Sequence, residues 1–464
     1  MVHSAPPARR LRFSARAPRA MIPRMSSWKR ARKPAGAALP KAGALVTEKR
    51  LPNGMRLLVA ERRSDPVVAV LLFYRVGARN ETEREAGVSH FLEHMMFKGS
   101  RRYGKGEVDR LTASLGGNNN AFTSNDHTAY WFEFASDRWE KALEIEADRM
   151  RNLLLDPREF ESEKAVVLEE LSMGEDEPWR ALSQEVQLAL FPRHPYRRPV
   201  IGFADSLGAM GVADMRSYYA RHYRPSNAVL VLAGDFEPRR ALELVRERFG
   251  SFPGEGRKAA GAERPAFRPG ATPPKGERRI TILWDDEGRR LCVAWPTTTV
   301  GTEDDWALDL LSTVLAGGKL SRMHRRLVIE RRLATSVSSH NDTRVDAGAF
   351  WMFLECARGV DPEDLERALW KEIGELSRKL VPAKELDRAK RMLASGEAHE
   401  NETVTDLAEQ LGEFAVDAHW RLALEAPARL AAVTAQAVRR CAKTYLGEER
   451  RVVGWCLPKA RPSR

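Results

Sequence analysis

An α+β fold made of two duplicated domains, each a mostly antiparallel sheet with helices packed on it, is predicted for this 464-residue chain. Three observations carry the prediction. The length suggests about two to three domains rather than one ordinary core. The order of β-rich and helical runs beyond residue 275 repeats the order before residue 253. One helical stretch also aligns with a later one at a constant offset of 226.

Ordered sequence begins near Thr47. The run from there to Arg79 holds two β-rich segments around an Asn53-Gly54 turn signal, then a third. A helix containing GVSHFLEHMMFK follows, and then NNNAFTSNDHTAYWFEFA, whose Thr, Tyr, Phe and Trp content predicts a strand pair. RWEKALEIEADRMRNLLL has helical periodicity. Asp156-Pro157 is a helix start, with a capping Asp and a Pro in the first turn. NAVLVLAGDF is a buried strand, and a further helix ends near Phe252. The second half restarts with strands in RRITILWDDEGRRLCVAWPTT and a helix in DDWALDLLSTVLAG. A strand around AGAFWMFLECA, two helices and a last strand RVVGWCLP complete it. The domain reading is therefore a basic leader over 1–46, a first domain over 47–252, a Gly/Pro-rich linker over 253–278 and a second domain over 279–460.

At the offset of 226, Glu159, Phe160 and Lys164 face Glu385, Leu386 and Lys390, but Glu163 faces Ala389 and Glu170 faces Gly396. The apolar helix face persists in the second copy while the acidic residues do not. Only the first copy is expected to have kept its chemistry.

Composition narrows the function classes. Hydrophobic residues at 43% and charged residues at 30% describe a soluble globular chain, and no stretch approaches the roughly 18 apolar residues of a membrane span. The net charge of +12 would suggest a nucleic-acid partner. Its distribution argues otherwise: residues 1–47 carry 11 of the 76 basic residues and no acidic one, leaving 65 basic against 64 acidic. The acid-free leader reads as a disordered basic tail or an upstream start before Met21 or Met25, with a presequence or a functional basic arm as alternatives. Cys292, Cys356, Cys441 and Cys456 form no CxxC, so the spacing supports no metal or redox site, and at most one disulfide.

The chemistry concentrates in His90-Phe91-Leu92-Glu93-His94. On a helix, His90 and His94 lie one turn apart and face the same way, so both imidazoles can reach one zinc ion. Glu93 neighbours both and can accept a proton from water without ligating the metal. Two histidines on one helix can also be satisfied by water or backbone, so a third ligand decides. The helix after Asp156 offers Glu161, Glu163, Glu169 and Glu170. Glu163 and Glu170 are seven apart and share a face, whereas Glu169 is rotated about 100° from Glu170.

GVSHFLEHMMFKGS together with EKAVVLEEL resembles the pitrilysin-like, inverzincin metallopeptidases, a family that includes the insulysins and the mitochondrial processing peptidases. The resemblance implies one zinc per chain held by His90, His94 and Glu170, with Glu93 as general base. Glu163 would support the site from behind the ligands, and Asn120 and Ala121 in NNNAFTS would line an extended peptide. Many active members carry an Arg and a Tyr in a later domain. Here those positions are Val328 and Thr335, with Arg325, Arg326 or Arg331 as substitutes. The implied partner is a homologous subunit supplying that pair in a heterodimer; a homodimer fits less well. A zinc endopeptidase is expected, with a non-catalytic structural subunit as the alternative. A bacterial cytoplasmic location is favoured over the periplasm or a mitochondrial matrix.

Overall fold

The computed structural model describes residues 46–253, 276–400 and 402–459. The expected leader, and most of the expected linker, lie outside the described residues.

The first half runs β1 (Val46–Arg50), β2 (Arg56–Glu61), β3 (Val67–Tyr74), α1 (Val88–Met95), α2 (Glu107–Ser114), β4 (Asn118–Thr123), β5 (Thr128–Ala135), α3 (Glu140–Asn152), α4 (Pro157–Glu175), α5 (Pro178–Leu190), α6 (Ala204–Ala209), α7 (Val212–His222), β6 (Ala228–Gly234) and α8 (Pro238–Phe249). The second runs β7 (Arg278–Trp284), β8 (Arg290–Thr297), α9 (Glu303–Ala316), β9 (Ala334–Asp342), β10 (Gly348–Cys356), α10 (Pro362–Arg378), α11 (Ala383–Glu400), α12 (Val404–Asp417), α13 (Arg421–Ala432), α14 (Ala435–Tyr445) and β11 (Val452–Pro458).

Local signals explain the element starts. Gly54 turns β1 into β2 with a left-handed φ of 93°, open to glycine without steric cost. Asp156 accepts from the N–H groups of Arg158 (2.8 Å) and Glu159 (3.1 Å), capping α4 with Pro157 at its first position.

The first sheet has the order β1-β2-β6-β3-β5-β4 and the second β7-β11-β8-β10-β9. Apart from β1 the two orders correspond strand for strand, and each contains one parallel pair, β2–β6 and β7–β11. The duplication is thus visible in topology. Strand β9, polar and at the sheet edge, lacks the apolar run that marks its neighbours and is absent from the sequence reading. Helices α5 and α12 are absent from it too.

Those two helices tie the halves together. Each sheet has one face covered by its own helices and a second face that is equally apolar. The second face of the first sheet, with Leu58, Ala69, Leu71, Phe73, Val229 and Val231, is covered by α12 through Val404, Ala408, Leu411 and Ala415. The second face of the other sheet, with Cys292, Ala294, Trp351, Val452 and Cys456, is covered by α5 through Leu182, Val186 and Leu190. Both helices present an apolar stripe at helical spacing. The offset of 226 that carries Pro157 of α4 onto Ala383 of α11 also carries Pro178 of α5 onto Val404 of α12. The equivalent helix of each copy therefore packs on the other copy's sheet, a reciprocal exchange within one chain.

All four cysteines are free and buried, so the single disulfide left open by the sequence is not formed. Among the described residues no helix is long and apolar enough to cross a membrane.

The exchange is tight enough to require glycine. A Cβ on Gly412 of α12 would lie 2.0 Å from Cε2 of Phe73. Gly412→Val is expected to cost about 1–3 kcal/mol by overpacking, read as a lower denaturant midpoint. Gly374→Ala in α10, where the nearest atom is the mobile Arg378 guanidinium at 3.4 Å, should be neutral or slightly stabilising.

Candidate metal centre

Helix α1 is built to turn its histidines outward. Val88, Phe91, Leu92 and Met95 are buried on one side, which leaves His90, Glu93 and His94 on the other. The ring of Phe91 packs on Phe160 of α4 with centroids 4.7 Å apart, which sets α1 against the helix that carries the acidic residues. The start of α1 is fixed by the buried carboxylate of Glu81, which accepts from the N–H groups of Gly87 (2.9 Å) and Ser89 (2.8 Å). Burial pushes Glu81 up to about 7 against the pull of those two bonds.

The packing brings together one oxygen of Glu170 and one nitrogen each of His90 and His94, all within 4.8 Å of one another. Glu170 Oε1 is 3.8 Å from His90 Nε2, and Oε2 is 3.6 Å from His94 Nε2. Tetrahedral zinc with ligands at about 2.0–2.1 Å separates its donors by roughly 3.4 Å, so this donor set fits the ion in chemistry and in spacing. Of the four acidic candidates on α4, Glu161 is exposed and pairs with Lys164 (3.3 Å), and Glu169 is exposed.

Glu163 is buried, and His94 Nδ1 lies 3.0 Å from its Oε1. Donation from Nδ1 leaves the Nε2 lone pair for a metal. The other oxygen of Glu163 meets Lys98 Nζ at 2.5 Å. Burial would raise Glu163, but the bonds from His94 and Lys98 outweigh it and hold the carboxyl below its ordinary value. Burial would also lower His94. Its bond to Glu163 and the charges of Glu93, Glu170 and Glu163 overcome that and raise it. His90 behaves oppositely: burial, the neighbouring His94 and the charge of Arg180 pull it down to about 3, so its imidazole is neutral.

Glu93 does not point at the third-ligand position of α4. Its Oε2 accepts from Thr123 Oγ1 at 2.5 Å. Burial lifts its carboxyl to about 7, against the bond from Thr123 and the charge of His94 and with the repulsion of Glu170. That is the range a general base working near neutral pH requires. Thr123 ends β4, the outermost strand of its sheet. Ser124 N donates to His127 O (2.8 Å) at the following turn, so the alternation of antiparallel pairs turns the backbone groups of residues 119, 121 and 123 toward the open edge. Asn120 and Ala121 thus lie on an unpaired edge three and two residues from the group that contacts Glu93. Asn120 Oδ1 accepts the Ala121 N–H at 2.9 Å.

Sequence reasoning missed Lys98 and Thr123. Lys98 sits four residues beyond His94, so helical spacing already pointed to it; Thr123 carries no signal until β4 is placed beside α1. Two of the residues considered as substitutes for the missing Arg are engaged elsewhere. Arg325 pairs with Glu330 at 3.2 Å, and Arg326 pairs with Glu372 and Glu375.

Most of the chain is similar to known proteins. Residues 56–203 match the family model described as insulinase (peptidase family M16), and residues 209–393 match the peptidase M16 inactive domain. An uncharacterized zinc protease of Mycobacterium tuberculosis is 34% identical over 318 residues, covering 68% of this chain and 72% of that one. The zinc protease PqqE of Helicobacter pylori is 31% identical over 355 residues, covering 73% and 76%. The crystal structure of a protease from Helicobacter pylori superposes with a TM-score of 0.84 at 26% identity, covering 89% of this chain and 99% of that one.

The role of Glu163 is checked by metal competition. Glu163→Gln should weaken zinc binding about 10–100-fold while leaving the stoichiometry unchanged. Glu161→Gln, on the exposed side of the same helix, should leave the affinity as it is.

Proposed function

The chain belongs to the insulinase family of peptidases, family M16, and from that premise we propose that it is a zinc-dependent endopeptidase acting on extended or unfolded peptides. One observation supports this reading above the others. His90, His94 and Glu170 meet within 4.8 Å, beside a buried carboxyl, Glu93, raised to about 7. A non-catalytic subunit of the same fold has no need for that combination.

His90, His94 and Glu170 would hold the ion, and Glu163 with Lys98 would keep His94 in the tautomer that ligates. When bound, zinc supplies Lewis acidity toward a scissile carbonyl and toward water. The remaining work falls to the protein. Glu93 takes a proton from the attacking water and passes it to the leaving amine, with Thr123 holding its carboxylate in place. A peptide strand adds to the open edge of β4, where backbone hydrogen bonds give affinity without demanding a particular sequence. For Ala121 N–H to take part, the Asn120 side chain must first release it. A folded protein cannot present such a strand, which is why extended substrates are favoured.

Val328 and Thr335 stand where active relatives place an Arg and a Tyr, so we further propose that a homologous subunit supplies that pair. Half-length correspondence supports the idea. The periplasmic protease PqqL of Escherichia coli superposes with a TM-score of 0.73, covering 91% of this chain but only 48% of PqqL, so the longer molecule has room for a second unit of this size.

Glu93→Gln is expected to retain one zinc per chain and to lose about 10²–10⁴-fold in turnover, measured as metal content alongside cleavage of an unfolded peptide. The isolated chain should bind zinc and cleave poorly until a homologous chain bearing the Arg/Tyr pair is added. Full activity from the isolated chain would sink the two-subunit part of the proposal.

A further inference from the structure

One cation on the wall of the metal centre is held in place yet has nothing to bind. Arg180 is the third residue of α5, and Glu177 caps its backbone N–H at 2.6 Å. Its side chain is exposed, and its guanidinium makes no hydrogen bond or ion pair among the described residues. This is not the freedom of an ordinary surface arginine. The guanidinium is seated against Gly174 of α4, where a Cβ would lie 2.3 Å from Cζ and 2.4 Å from Nη1. Gly174 is four residues beyond Glu170, one turn along the same face, which sets the guanidinium about 6 Å along the helix from the ligand-bearing position.

The surroundings sharpen the point. On that face Val166, four residues before Glu170, and Met173, three after it, are 43% and 68% exposed, so the described residues leave the wall uncovered. Of the charged groups nearby, Glu163, Glu169, Glu170 and Glu175 of α4 are acidic, while Lys164 is paired with Glu161 (3.3 Å) and Lys98 with Glu163 (2.5 Å). A peptide lying along this wall would meet an unpaired cation in the Arg180 guanidinium. That group is planar and forked and accepts a carboxylate through two parallel hydrogen bonds.

We propose that Arg180 forms a subsite receiving a carboxylate of the peptide substrate, which directs the enzyme to peptides with an acidic group close to the scissile bond. The inference rests on the peptidase reading. The carboxylate can come from an Asp or Glu side chain or from a free C-terminus.

Zinc-loaded Glu93→Gln chain, which holds peptide without cutting it, is titrated with labelled extended peptides by fluorescence anisotropy. One series places Glu or Gln at each of the three positions on either side of a fixed centre, and another compares a C-terminal acid with its amide. One series should bind at least about fivefold tighter as the acid, and which series does so identifies the source. Adding Arg180→Gln should erase that advantage, and Arg180→Glu should transfer it to a Lys-bearing peptide. Both substitutions are at an exposed position and should leave the unfolding midpoint unchanged. An acid-to-amide ratio that stays the same in Arg180→Gln would overturn the inference while leaving the peptidase reading intact. No binding of any peptide, acid or neutral, would overturn both.

Discussion

The structure depends on the need of a two-faced sheet for two covers. Strands such as β3 (VVAVLLFY) and β6 (AVLVLAG) are apolar at almost every position, so both faces must leave water. The helices between consecutive strands of each half cover only one face. The other is covered by the equivalent helix of the opposite copy, α12 on the first sheet and α5 on the second. Burial of this kind stabilises by about 25 cal/mol per Å² of apolar surface, and neither copy can obtain it from its own helices.

The metal centre follows from that arrangement. Helix α4 carries Glu163 and Glu170 and leads directly into α5, which is anchored on the opposite sheet through Leu182, Val186 and Leu190. The ligand-bearing helix is thereby fixed at both ends, by Phe160 of its first turn in the core of its own half and by α5 after its last turn on the other. The turn after β4 is held in the same manner. Asp126 accepts from Tyr196 (2.6 Å) and from the Val345 backbone of the second half (3.3 Å), while His127 Nδ1 lies 3.0 Å from Asp417 of α12. The second copy, whose Ala389 and Gly396 replace Glu163 and Glu170, contributes no ligand to this cluster. It acts on the chemistry by holding the two elements between which Glu93 is placed.

Legibility in the sequence tracked how local each determinant is. His90, Glu93 and His94 lie within five residues, so helical geometry alone set them on one side of α1. Asp156-Pro157 announced α4 because capping is a contact over three residues. The fold class could be read because duplication wrote the element order twice. Glu170 was one of four carboxylates on spacing alone, and only the family resemblance singled it out. What could not be read depended on contacts across long separations. Thr123 meets Glu93 only after β4 has crossed α1, and α5 and α12 have apolar stripes that do not say which sheet they cover. Strand β9 was missed because a solvated edge strand carries little apolar alternation.

The exchange of helices also sets a timetable. Helix α12 lies far downstream of β6, so the outer face of the first sheet, with Leu71, Phe73 and Val231, stays uncovered while most of the second half is still being synthesised. At about 5–20 residues per second that interval is roughly 10–40 s. During it the nascent chain carries a complete apolar face with nothing to lay on it, a surface of the kind that chaperones hold and aggregates recruit.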